Sequence, residues 1–215
     1  MKHLSLINWL TALPLALSLM CTSGIAADRN NKPTEKTYPA FKYSEAATDP
    51  VVEYNLVHDM IAEPDPEPLL RVYGNGRVHV HYPAYMKKAG DYELQLSKPE
   101  LDALIRDLAN DGVIDFDKGK VLGRRKQLED QRHASTGILH HISDDTTTVI
   151  DIRLEEYQRS SSTKRATNVN KRFIWKNLEH DARQFPETSE IQGAAKGAGK
   201  IRDLMTHPGI KTKHN

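Results

Sequence analysis

Cysteine is almost missing from this chain of 215 residues: Cys21 stands alone. It falls within an N-terminal stretch that reads as a removable leader, so the mature protein is expected to carry no thiol. That excludes disulfides, a cysteine nucleophile and thiolate metal ligands. Net charge is missing too, with 30 Lys and Arg against 29 Asp and Glu, and loss of Lys2 with the leader makes the two equal. A neutral chain sets up no field that gathers nucleic acid or anionic lipid. The local basic run Gly123-Arg124-Arg125-Lys126 reads as solvated loop. Past residue 27 no stretch approaches the ~18 apolar residues of a membrane helix, so no transmembrane segment is expected in the mature chain. Internal repeats are absent, and so is the Gly-x-Ser-x-Gly of a nucleophile elbow. The glycines of Gly74-Asn75-Gly76 belong to a turn, and those at 193, 197 and 199 lack the preceding strand and the Gly-Lys-Ser/Thr ending of a phosphate loop.

What is present begins at the N terminus. Lys2 and His3 give a basic start, residues 10–20 an apolar run, and Gly24, Ala26 and Ala27 small residues before Asp28 and Arg29. Basic, apolar, small is the order of a secretory signal peptide, and the run is too short to span a bilayer. Cleavage near Ala27 leaves about 190 residues, the size of one domain with tails. Lipid attachment at Cys21 is not expected, because Met20 and Ser18 stand where lipoprotein signals place a small residue and a leucine. The expected address is the periplasm or the medium.

The chain then divides into a flexible leader over 28–50, one domain over 51–207 and a disordered tail over 208–215. Residues 51–57 read as a first strand. Glu63-Pro64-Asp65-Pro66-Glu67-Pro68 cannot form regular structure, because three prolines in five positions fix φ and remove donors. It reads as a stiff, acidic, exposed loop. Residues 69–82 place two β-rich runs around Asn75-Gly76, a hairpin signal. In the second run Val78, Val80 and Tyr82 share one face, and Arg77, His79 and His81 the other. Residues 91–96 alternate as a third strand. Ser97 and Glu100 form a capping box around Pro99, Leu101, Leu104, Ile105 and Leu108 make a helical stripe, and Asn110-Asp111-Gly112 ends it.

Residues 117–136, charged and glycine-punctuated, read as a long loop with a helical turn near 127–131. A second hairpin is expected from 138–142 and 146–157, turning at Ser143-Asp144-Asp145. Residues 160–170 read as a polar excursion, 172–175 as a short strand, 178–184 as a helix and 189–206 as a final helix softened by glycines. The sum is an α+β fold, an antiparallel sheet of hairpins packed against two or three helices.

Candidate chemistry is thin. His79 and His81, two apart on one strand face, can both reach a Zn²⁺, with Asp144 or Asp145 adding a carboxylate if the hairpins pair. The same spacing also suits two histidines on the wet face of an amphipathic strand. Paired acids at 115/117, 144/145 and 155/156 fall at turns and strand ends, where such residues are common for local reasons. Tyr73, Tyr82, Tyr85 and Tyr92 cluster around the first hairpin, with Trp175 on a later strand. Beside Arg71, Arg77 and His79 they suit a face for a glycan or peptide, and core packing accounts for the inward ones.

The run from Leu70 to Val78 with its Gly74-Asn75-Gly76, the Gly90…Leu96-Ser97…Glu100-Leu101 segment and the Ser143-Asp144-Asp145 turn occur in one order. This plan, strand–Gly-x-Gly–strand, capped helix, Asp-bearing hairpin, resembles a group of secreted proteins of Gram-negative bacteria, a family of unknown function. The likeness spans about residues 65–205. It implies the compartment and the fold, and brings no functional residues with it.

The leading expectation is a non-enzymatic binding module for an envelope protein or glycan, without cofactor, using a face of Arg71, Arg77, His79, His81 and Tyr85. One alternative is a metal-dependent hydrolase with zinc on His79, His81 and Asp144. Another is an inhibitor or immunity-type protein that blocks a secreted enzyme through its acidic proline loop.

Overall fold

The computed structural model describes residues 39–61, 65–137 and 145–213. The signal region, the hairpin arm expected over 138–142 and Asp144 therefore lie outside the described residues. The fold is α+β: an eight-stranded antiparallel sheet carries helices on one face. The strands are β1 (Ala40–Lys42), β2 (Pro50–His58), β3 (Leu70–Tyr73), β4 (Arg77–Tyr82), β5 (Gly90–Gln95), β6 (Thr146–Gln158), β7 (Ala166–Lys176) and β8 (Lys211–Thr212). The helices are α1 (Lys98–Asn110), α2 (Lys118–Thr136), α3 (Leu178–Gln184) and α4 (Ser189–Asp203), the last running into a 3₁₀ turn over Leu204–Thr206. None of the described helices is long and apolar enough to cross a membrane.

β6 organises the sheet. β7 runs along one of its edges, and β2 followed by β1 along the other. From β2 the order continues β3, β4, β5, β8. Alternation decides which side each residue takes. Val52, Leu70, Val72, Val78, Val80, Leu94, Ile150, Ile152, Phe173 and Trp175 all turn to one face and are buried there. They join the α1 stripe (Leu101, Leu104, Ile105, Leu108) and the α4 stripe (Ile191, Ala194, Ala198, Ile201) in one core.

The expected hairpin forms, with a different turn. Gly76 N–H bonds to Tyr73 C=O at 2.9 Å, and Gly76 is the turn glycine at positive φ, +84°. This is a type I turn closed by a left-handed glycine rather than a two-residue Asn-Gly turn. A Cβ at position 76 would meet the Leu96 carbonyl oxygen at 2.2 Å. The α1 capping box also forms, the Ser97 N–H donating to the Glu100 carboxylate at 2.7 Å.

Four segments depart from the sequence reading. Residues 118–136, expected as a loop, form α2, capped by Asp117, whose side chain accepts from the Lys120 N–H, and closed by Gly137. Its middle, 124–129, is made of strong helix formers, with Arg125–Glu129 and Lys126–Asp130 paired one turn apart. β7 starts at Ala166, inside the expected polar excursion, and its first half is largely exposed on both faces. Residues 40–42, within the expected leader, form β1 on β6, and residues 211–212, within the expected tail, add β8 to the edge of β5. The glycines of α4 do more than soften it: a Cβ on Gly193 would lie 2.2 Å from the Asp111 carbonyl oxygen, so α4 crosses the end of α1 at backbone distance.

Candidate binding face and histidine–carboxylate cluster

Among the described residues, the second face of the sheet carries charge instead of helices. One row crosses seven strands in register: Lys211, Glu93, His79, Arg71, Glu53, Asp151 and Arg172. Residues directly opposite on antiparallel strands point the same way, so the row is a single stripe of acid, base and imidazole. Glu53 is its hub, 2.7 Å from Arg153 Nη1 and 3.4 Å from Arg71 Nε. Arg172 and Asp151 stand 3.7 Å apart at the β7 end.

A strap crosses this face beside β4. Pro66 and Pro68 fix the backbone of the β2–β3 connection, and the Glu67 N–H donates to the Asp65 carboxylate at 2.9 Å, a local turn. The Leu69 carbonyl then accepts from His81 N–H at 2.9 Å, joining the strap to β4 before β3 begins. The acids of the supposedly exposed loop are thereby aimed inward. Glu67 Oε1 meets Arg71 Nη1 at 2.6 Å and lies 3.8 Å from His79 Nδ1, while its Oε2 lies 3.8 Å from His81 Nδ1. Asp65 Oδ2 is 3.0 Å from His81 Nε2.

β5 supplies the third acid. Asp91 sits directly opposite His81 in the ladder, with Oδ1 2.9 Å from His81 Nδ1 and 3.1 Å from His79 Nε2. Each ring nitrogen of His81 thus faces a carboxylate. The hydrogen bond from His81 holds Asp91 below its ordinary pKa despite partial burial, and His79 adds to it. Asp65 is also lowered, by the Glu67 N–H first and His81 next. Burial pulls His81 down, but its bonds to Asp91 and Asp65 outweigh that and hold it above the usual histidine value. One ligand atom each from Glu67, His81 and Asp91 lies within 4.8 Å of the others.

The predicted site residues separate into two groups. His79, His81 and Arg71 meet in this cluster, and Tyr85, half exposed, lines a narrow cleft beside it with Asp65 and Glu67. Arg77 lies on the same face but works elsewhere: it covers the Tyr73 ring at 4.1 Å and donates to the Ala47 carbonyl at 3.2 Å. Asp144, the acid expected beside the histidines, lies outside the described residues. Asp65, Glu67 and Asp91 were missed. Asp91 becomes visible only once the β4–β5 register is counted, and the loop acids once the prolines are seen to turn them back. Of the aromatics, Tyr82 and Tyr92 pack edge to face with centroids 5.5 Å apart, Tyr73 is buried and Trp175 is fully buried.

A separate concavity of about 370 Å³ opens between the end of α1, the start of α2 and the end of β6. Its acid Asp115 is engaged by the Tyr157 hydroxyl and by Arg159, each at 2.8 Å.

Comparison with known proteins returns no match among protein-family models, curated proteins or solved structures. The functional reading rests on the chain's own residues.

Proposed function

We propose that this protein is exported and acts as a non-enzymatic binding module for an envelope component, protein or glycan, through the charged face of its sheet. Export is supported by the basic, apolar and small-residue order of residues 1–27. The observation that carries the binding role is the seven-residue charged row on a face that the helices leave bare. Its side chains are held in place by ion pairs within the row and with its neighbours: Glu53 by Arg71 and Arg153, Arg71 by Glu53 and Glu67. Preset donors and acceptors of both signs suit a polar surface of mixed charge rather than a polyanion.

Two measurements test this. Mass spectrometry of protein recovered from the periplasm is expected to show a chain beginning at Ala27 or Asp28. A retained Met1, or a lipidated Cys21 in the membrane fraction, contradicts the address. Purified protein is then offered isolated sacculi, outer-membrane vesicles and immobilised periplasmic proteins. Retention on one of these, lowered at least tenfold by Arg71→Glu or Arg172→Glu, is the expected result. Turnover of an envelope substrate that a single polar substitution abolishes would replace the binding role with an enzymatic one.

A further inference from the structure

We propose that Glu67, His81 and Asp91 form a site for one divalent transition-metal ion of the zinc class. Three separate segments bring the ligands together: the proline strap, β4 and β5. Zinc bonds of ~2.0–2.2 Å to nitrogen and oxygen put neighbouring ligand atoms about 3.3 Å apart in a tetrahedron. His81 Nδ1 stands 2.9 Å from the Asp91 oxygen and 3.8 Å from the Glu67 oxygen, on either side of that spacing. All three ligand atoms lie within 4.8 Å of one another, and the half-exposed Asp91 and Glu67 side chains can close on the ion.

The surroundings have the form that metal-bound histidines keep. Asp65 accepts from His81 Nε2, so an ion that displaces the Nδ1 proton finds that nitrogen's lone pair directed toward Glu67 and Asp91. A carboxylate behind a ligating imidazole fixes its tautomer and orientation and raises its basicity. His79 Nε2, 3.1 Å from Asp91 Oδ1, steadies the second ligand in the same way. Two carboxylates balance the charge of a divalent ion. The imidazole favours zinc, nickel or copper over calcium and magnesium, which prefer six or more oxygens. Bound there, the ion ties the strap to the sheet. The site stands whether or not the sheet face meets an envelope partner.

The test is calorimetric titration of chelator-treated protein with zinc chloride, paired with the unfolding midpoint with and without zinc. One ion per chain is expected, with a rise in midpoint. Asp91→Asn, which keeps the shape of the side chain, and His81→Ala each weaken binding about 100-fold. Asp65→Asn, acting through His81, weakens it about tenfold. His133→Ala, on α2, leaves it unchanged. Backbone amides of Glu67 and Leu69 gain hydrogen-exchange protection with zinc in the parent protein and not in Asp91→Asn. Should His81→Ala fail to fold, Asp91→Asn and the exchange data decide. Absence of one-to-one uptake overturns the proposal, as does stoichiometric zinc undiminished in Asp91→Asn. Calcium binding as tight as zinc overturns the assignment of the ion.

Discussion

The two faces of one sheet are built from the same strands by opposite chemistry. On β4, Val78 and Val80 go under the helices while His79 and His81 go to the bare side. On β7, Phe173 is 1% exposed, whereas the Arg172 side chain beside it is 64% exposed. The covered face is close-packed apolar surface, and removing a large side chain there leaves a cavity. The helix-free face is a web of ion pairs, and those in contact with water contribute little each. Alternation separates stability from the surface free to evolve contacts, so the second face can change without unfolding the first.

Adjacent substitutions on β7 test that separation most severely. Phe173→Ala is expected to cost about 3–5 kcal/mol in urea unfolding, and Arg172→Ala about 0.5 kcal/mol or less. Equal costs would break the comparison. Next comes the buried seam between sheet and helices, where Trp175 Nε1 donates to Asp181 at 2.7 Å and Arg125 Nε stands 3.3 Å away. Burial pushes the Asp181 carboxyl up, against the pull of Trp175 and Arg125. Trp175→Phe removes the donor from a buried carboxylate and should cost about 1–3 kcal/mol, read from the same unfolding curves.

The faces should also respond to pH at opposite ends. Burial pushes the Tyr54 hydroxyl of the covered face up to about 12, despite the opposing charge of Arg202. A tyrosine in the unfolded chain ionises near 10, so the stability Tyr54 supplies is full below that value and is lost as pH rises through about 12. Tyr54→Phe should flatten the alkaline limb of melting temperature against pH. On the bare face, the lowered Asp65 and Asp91 supply stability above their ordinary values that is lost as pH falls. His81, raised, supplies stability that is full below its ordinary value and is lost as pH rises through its own. In metal-free protein the strap is therefore held best between the ordinary acid values and the ordinary histidine value, and loosens as pH falls through the lowered acid values or rises through the raised histidine value. Hydrogen exchange at Glu67 and Leu69 should show that window, and Asp91→Asn should narrow it. Smallest of all is Lys126→Ala on the outer side of α2, whose pair with Asp130 is largely exposed; it should move stability by a few tenths of a kcal/mol.

Local order was legible where periodicity and caps were strong. The 70–82 hairpin, β5, the Ser97 cap and the α1 stripe all follow from side-chain spacing. α2 was hidden because its sequence has almost no apolar stripe. It joins the rest through Val121 and Leu128 and through arginines, with Arg125 beside Asp181 and Arg132 stacked over Phe185 at 4.8 Å. β1 and β8 are three and two residues long, below what alternation can reveal. The period-two pattern put Arg77, His79 and His81 on one face, but no pattern in the sequence predicts that a proline strap brings Asp65 and Glu67 over them. Asp91 depends on a register set by the Gly76 turn and the β4–β5 ladder, which is a long-range property.

The claim that the bare face is the working surface is tested most directly by a photo-crosslinker placed singly at positions 172, 93 and 126 in living cells. Adducts of one discrete mass from 172 and 93, with none from 126 on α2, are the predicted result. Adducts from 126 alone, or from none of the face positions, would contradict it.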